Sequence, residues 1–262
     1  MRFTETGPPG GPAVLLIHGG GVGGWMWRPT LARLDPSFRV IVPELPGHDL
    51  ESAGSYLGHA DTLHGLIELI EARAPGGLHV AGFSLGAQLA ILLAAARPDL
   101  VRSIIVVSAQ TRPMALPGAT LAMLSLATPL ARQPWFARLQ ARELFVPDEL
   151  LDEYVELSAH ISPETLRSAV GENIRFTLPS GWAKFPGPAL VLVGGRERRL
   201  MRDSAQASAA ALPGAVLEVV PECGHGIPLQ RPEWFANRLT RWMRGDAAGA
   251  GEIGGPNVGG RV

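Results

Sequence analysis

The sequence predicts an α/β protein: a mainly parallel sheet flanked by helices, with a helical lid inserted between two of its strands. Three observations carry that class. Short continuous apolar runs, Ala13-Val14-Leu15-Leu16-Ile17 and Ala189-Leu190-Val191-Leu192-Val193 among them, have the pattern of strands covered on both faces. Segments of helical spacing separate these runs, and strands alternating with helices argue for parallel crossovers. Between Ala109 and Pro186 the alternation lapses into consecutive helical segments separated by prolines, which reads as an insertion over the carboxyl edge of the sheet.

The elements follow in order. Arg2 to Thr6 is expected to form one short edge strand, closed by the turn residues Gly7-Pro8-Pro9-Gly10-Gly11-Pro12. The first buried strand, Ala13 to Ile17, runs into His18-Gly19-Gly20-Gly21-Val22-Gly23-Gly24-Trp25. Five glycines in six positions cost conformational entropy unless the backbone must approach something closely. The spacing fits neither the dinucleotide-binding glycine pattern nor a phosphate-binding loop with its lysine. The reading adopted is that the Gly20 N–H faces an oxyanion. Trp27 to Leu34 suits a short helix and Arg39 to Pro43 a second buried strand. It leads into Glu44-Leu45-Pro46-Gly47-His48-Asp49, where His48 reads as a surface or turn-stabilising residue.

Leu63, Leu66, Ile67 and Ile70 recur at helical spacing, giving an amphipathic helix that ends at Pro75-Gly76-Gly77. Next comes the stretch from Leu78 to Ala90, which compresses a strand, a sharp turn and a helix start. Gly82-Phe83-Ser84-Leu85-Gly86 is the pattern of a nucleophile elbow: the serine sits on a strained strand-to-helix turn, and the positions two away must lack side chains. The turn aims the first N–H groups of the following helix at the reaction centre, with the Leu85 N–H as partner to that of Gly20. Val101 to Ser108 is a further strand.

In the insertion, helical segments are expected around Leu121 to Leu126, Trp135 to Phe145, Glu149 to His160 and Glu164 to Phe176. Their Leu, Met and Phe residues suit an apolar pocket wall. Arg112, Arg132, Arg138 and Arg142 could meet an anionic group, but a solvated helix face is the reading adopted for them. The sheet resumes at Ala189 to Val193, then a helix around Asp203 to Leu212, a strand from Ala215 to Val220, the loop Pro221 to Pro228, and a closing helix from about Arg231 to Met243. The expected organisation is therefore a core of residues 1–108 and 187–244, a helical lid over 109–186, and a flexible glycine-rich tail over 245–262.

Composition narrows the function classes. The 262 residues are 46% hydrophobic and 18% charged, enough to bury a large core. A formal net charge of −1 leaves no electrostatic footprint for nucleic acid or an anionic membrane surface. Cys223 is the one cysteine, so no intrachain disulfide forms. The residues from Met1 to Gly7 lack the apolar core of a signal peptide, and the apolar stretch from Ala115 to Ala131 is too short to span a bilayer. A cytoplasmic protein acting on a small molecule is the expectation, with the oligomeric state left open.

Taken together, His18-Gly19-Gly20, Pro43-Glu44-Leu45-Pro46-Gly47-His48, Gly82-Phe83-Ser84-Leu85-Gly86 and Gly224-His225 resemble the α/β-hydrolase superfamily, in its lidded, cofactor-free branch of esterase-like and carbon–carbon hydrolase-like enzymes. The resemblance spans about Val14 to Met243. It implies the order Ser, acid, His along the chain, with Ser84 as nucleophile and His225 as its base. It implies no metal or organic cofactor. The acid is where this sequence departs from the pattern. The family usually carries an aspartate three residues beyond a glycine such as Gly195, and Arg198 stands there. Glu197 is the nearest carboxylate and is taken as the acid, with Asp203 as second choice and an acid-free Ser84–His225 dyad as the remaining possibility. The alternative acid position, after Val101 to Ser108, offers Ala109, Gln110 and Thr111. The implied activity is hydrolysis of an ester, thioester or lactone of a small, largely apolar substrate through an acyl-enzyme. The irregular acid loop keeps two rivals open: lyase, cyclase or acyltransferase chemistry on the same fold, and a non-enzymatic small-molecule receptor.

Overall fold

The computed structural model describes residues 1–51, 54–131 and 133–246. Its strands are β1 (Phe3–Thr6), β2 (Ala13–Ile17), β3 (Arg39–Pro43), β4 (Leu78–Phe83), β5 (Val101–Val107), β6 (Ala189–Gly194) and β7 (Val216–Val220). The helices are α1 (Arg28–Leu31), α2 (His59–Arg73), α3 (Leu85–Ala96), α4 (Pro117–Ala131), α5 (Pro134–Glu143), α6 (Leu151–His160), α7 (Pro163–Arg175), α8 (Arg199–Ala210), α9 (Ile227–Gln230) and α10 (Pro232–Met243). The sheet order is β1-β3-β2-β4-β5-β6-β7, parallel throughout except for β1, which pairs antiparallel with β3.

The apolar runs are continuous because the sheet is buried on both sides. Leu15, Ile17, Val80, Ile104, Val106, Val191 and Val193 point to one face, packed under α2, α3 and α8 through residues such as Leu66, Ile70, Leu89, Leu93 and Ala205. The alternate residues Val14, Leu16, Ala81, Phe83, Ile105, Val107, Leu190 and Leu192 point to the other, against Met26, Trp27 and the Phe235, Leu239 and Trp242 stripe of α10.

All of α4 to α7 lies between β5 and β6. The prolines there open helices more than they separate them: Pro117, Pro134 and Pro163 each stand at the first helical position, where a missing N–H costs nothing. Thus α4 is longer than expected, running from Pro117 past Pro129 to Ala131. The expected Trp27–Leu34 helix is a 3-10 turn (Gly24–Trp27) followed by the single turn of α1, and α8 begins at Arg199, one turn ahead of the expected start. The expected tail lies outside the described residues beyond Asp246, and so does Arg132. No helix among the described residues is long and apolar enough to cross a membrane.

Candidate active site

In this sheet the chain winds one way from β2 to β3 and the other way from β4 onward, so the strand order reverses between β2 and β4. At such a switch point the loops leaving the two carboxyl ends diverge and leave a crevice, which is where open α/β sheets bind ligands. The loops bordering it are the glycine-rich segment after Ile17 and the turn after Phe83, and Ile17 pairs with Gly82 at the strand ends.

Ser84 occupies that turn with φ +53° and ψ −113°, a backbone region rarely taken by residues with a side chain. Its N–H still extends the ladder to the Val107 carbonyl at 2.9 Å, while its carbonyl already accepts from Gln88 in the first turn of α3. The flanking glycines are steric requirements. A Cβ on Gly82 would stand 2.3 Å from the Gly86 carbonyl oxygen, and one on Gly86 would stand 2.4 Å from the carbonyl oxygens of both Ile17 and His18. No side chain fits at either position.

His225 lies in the loop after β7, and its ring bridges two groups. Nε2 is 3.0 Å from Ser84 Oγ and Nδ1 is 2.8 Å from Glu197 Oε2. Phe83 packs against the imidazole, with ring centroids 5.1 Å apart. Glu197 follows β6, and its side chain is only 2% exposed. Its second oxygen, Oε1, accepts from Ser108 Oγ at 2.6 Å and from the Gly194 N–H at 2.9 Å. Three donors thus surround a buried carboxylate, which a charge removed from water requires. Asp203, the second choice, stays on α8 beside Arg199 at 3.5 Å and makes no contact with His225.

Gly20 and Leu85 line the same cavity as Ser84, a space of about 400 Å³. Its far wall comes from the insertion: Leu144 after α5, Tyr154 of α6, and Leu166, Ala169, Val170 and Asn173 of α7. The last four are spaced i, i+3, i+4, i+7, so one stripe of α7 faces the cavity. That stripe is tied to the elbow by Gln88, one turn beyond Ser84, whose Nε2 donates to the carbonyls of Gln110 (2.6 Å) and Asn173 (3.2 Å). Arg112, Arg138 and Arg142 are all exposed.

Two histidines shape the surrounding loops. His18 is fully buried, with Nδ1 2.8 Å from the Gly19 carbonyl and Nε2 accepting from the Leu45 N–H at 3.0 Å. Burial, with His48 nearby, pushes its pKa down to about 3. His48 corrects half of its expected role. It stabilises the turn through the Pro46 carbonyl (3.0 Å), but it is not a surface residue, being 2% exposed with the rings of His18 and Tyr56 packed against it. A role for Ser108 is absent from the sequence expectations: its hydroxyl, at the end of β5, bonds to Glu197 in the loop after the neighbouring β6, and nothing in its local sequence marks that partner.

The family-wide sequence model of the alpha/beta hydrolase family matches residues 14–238. The chain belongs to that family. Among its relatives, the chain is 26% identical to a Caulobacter sp. (strain K31) protein named, provisionally, carbamate hydrolase RutD, over 91% of this chain and 95% of that one. It is also 26% identical to the pimeloyl-[acyl-carrier protein] methyl ester esterase of Chromobacterium violaceum, over 90% and 96%. Among solved structures, the enol-lactonase of Burkholderia xenovorans LB400 superposes with a TM-score of 0.80 at 17% identity, covering 93% of this chain and 96% of that one, a likeness of fold.

Proposed function

We propose that this alpha/beta hydrolase is a serine hydrolase that cleaves an ester, thioester or lactone of a small, largely apolar substrate through an acyl-enzyme. The observation that carries this reading is the single imidazole spanning Ser84 Oγ and a buried carboxylate. A serine hydroxyl is a weak nucleophile at neutral pH and needs a base in hydrogen-bond reach, itself held in one tautomer by an acid. Glu197 accepts a hydrogen bond from the Nδ1–H, so Nε2 presents its lone pair to Ser84 and takes the proton as Oγ attacks the acyl carbon. The same proton then passes to the leaving group. The N–H groups of Gly20 and Leu85 receive the negative charge that develops on the carbonyl oxygen. Water repeats the sequence to release the acid.

The mostly apolar cavity supports a small hydrocarbon-rich acyl or alcohol portion, and the insertion over residues 109–186 acts as the lid that walls it from water. The names of the relatives and of the structural neighbour run over a carbamate, a methyl ester and an enol lactone, each an acyl carbon carrying a heteroatom leaving group. The contact between Glu197 and His225 favours a complete Ser84, His225 and Glu197 arrangement over the acid-free dyad that motivates a non-enzymatic receptor. A cytoplasmic setting goes with this reading. The test is Ser84→Ala: nitrophenyl-ester turnover and fluorophosphonate labelling are both lost. Labelling and turnover at the wild-type level in that variant would overturn the proposal.

A further inference from the structure

His48 borders the cavity of Ser84 but takes no part in the proton relay. Its ring is held between His18, with centroids 5.7 Å apart, and the edge of Tyr56, at 6.0 Å. Nδ1 sits 3.0 Å from the Pro46 carbonyl oxygen. A carbonyl oxygen can only accept, so Nδ1 is the protonated nitrogen. Burial pushes the ring's pKa down to about 4, which leaves it neutral at pH 7. The remaining nitrogen, Nε2, is therefore an acceptor with a free lone pair, and no described residue is seen donating to it. The ring is otherwise buried, and it borders the cavity of Ser84.

The neighbouring wall is mostly hydrocarbon, with Leu85, Ile161, Leu166, Ala169 and Val170 among its members. An acceptor fixed in such a wall discriminates strongly. A substrate that donates to it gains a hydrogen bond, and one that carries only hydrogen or methyl at that point leaves the nitrogen unpaired.

We propose that His48 is a specificity-determining residue whose Nε2 accepts a hydrogen bond from a hydroxyl or N–H group of the substrate, so that hydroxylated esters are selected over their plain alkyl counterparts. The proposal rests on the serine hydrolase reading above. The ring also borders a polar recess near Glu44 and Asp49 on its other side, and the experiment separates the two orientations, because only a nitrogen facing Ser84 can affect turnover selectively.

The test uses two matched panels on the full chain. Nitrophenyl esters of 2-, 3- and 4-hydroxybutyrate are compared with nitrophenyl butyrate, and the monobutyrates of ethanediol and propanediol with propyl butyrate. The readout is the ratio of kcat/KM, hydroxylated over plain. In the wild type at least one pair is expected to show a ratio of about 10 to 100. His48→Asn retains a group that can reach the Pro46 carbonyl but has no atom at Nε2, and its ratio should fall to near one. His48→Gln restores an acceptor near the Nε2 position and should keep a ratio of about fivefold or more. Ratios near one in every wild-type pair, or a high ratio unchanged in His48→Asn, would overturn the proposal while leaving hydrolysis intact. If His48→Asn fails to fold, loss of the ratio in His48→Gln counts against the proposal and its retention supports it. Failure of the wild type to turn over any of these esters removes the hydrolase reading itself, and this inference with it.

Discussion

Replacing Glu197 with glutamine tests how the site sets its tautomer, and the surroundings fix the outcome in advance. In the native site Oε1 receives two hydrogen bonds, from Ser108 Oγ and the Gly194 N–H, while Oε2 faces His225 Nδ1. A glutamine amide has one oxygen and one NH₂. With its oxygen at the Oε1 position it keeps both donors satisfied; turned the other way, it sets an NH₂ against two donors, at about 1–3 kcal/mol for each bond lost. The first orientation wins. The NH₂ then points at Nδ1, which must give up its proton, and the imidazole carries its hydrogen on Nε2, facing Ser84. A ring in that tautomer cannot accept the Oγ proton. Loss of the orienting acid in this way costs about four orders of magnitude in kcat, or about 5 kcal/mol of transition-state stabilisation. KM should change little, because nothing in the cavity wall has moved. The assay is steady-state nitrophenyl-ester hydrolysis, alongside a thermal melt to establish that the variant is folded. A folded Glu197→Gln protein with kcat within tenfold of wild type would refute the assignment of Glu197 as the group that orients His225.

Ser108→Ala removes one of the two donors on Oε1 while the Gly194 N–H remains, so a hydrogen bond to a charged group is lost, typically about 1.5–3 kcal/mol. Part of that should appear as a fall of about tenfold in kcat, read in the same ester assay, and an unchanged kcat would show that Ser108 does not support the acid. Acid should destabilise the fold well before the carboxylates titrate. The folded-state pKa values of His18 and His48, about 3 and about 4, lie below the unfolded value of 6.5, so above pH 6.5 neither ring binds a proton in either state. As pH falls below that point the unfolded chain gains protons that the folded chain refuses, and stability drops by about 1.4 kcal/mol per pH unit for each ring. Together they should remove about 3 kcal/mol between pH 6.5 and pH 5, seen as a falling urea midpoint. A midpoint that stays flat over that range would mean that the rings are not held neutral.

What the sequence made legible is what is local. The elbow requires two glycines at fixed offsets from Ser84 because the backbone of the same turn, and of the loop beside it, occupies the space, and that constraint is written into five consecutive residues. Strand positions were equally readable, since both faces of the sheet are buried and the runs are apolar without interruption. The acid was harder. Arg198 stands where the family pattern places a carboxylate, and choosing Glu197 required assuming that one more methylene offsets a one-residue shift, a matter of tertiary geometry. Ser108 and the burial of His48 were not legible at all. The first depends on β5 lying beside β6. The second depends on Thr165, far along the chain, closing over the loop through its bond to the Tyr56 N–H at 3.1 Å. Local patterns specify backbone shape; partners brought together across the sheet leave no mark at either position.

The four hydrogen-bonded groups leave the carboxyl ends of four neighbouring strands: Ser84 after β4, Ser108 after β5, Glu197 after β6 and His225 after β7. With strands about 4.8 Å apart, β7 lies roughly 14 Å from β4, too far for an imidazole to reach from its own strand. The loop of His225 must therefore lean back across the sheet, and it needs support to stay there. One support is the β6 end, where the Gly195 and Arg196 N–H groups bond to the Val220 and Cys223 carbonyls at 2.9 Å each. The other comes from the insertion. A Cβ on Gly226 would stand 2.0 Å from the Leu144 carbonyl oxygen, so the histidine loop rests directly against the backbone following α5. Leu144 also lines the cavity. One residue thus touches both the cavity and the loop that carries His225, so the insertion's packing bears on where Nε2 stands relative to Ser84 as well as on what fits beside it. That coupling lets a segment outside the hydrogen-bonded chain of Ser84, His225, Glu197 and Ser108 set its geometry.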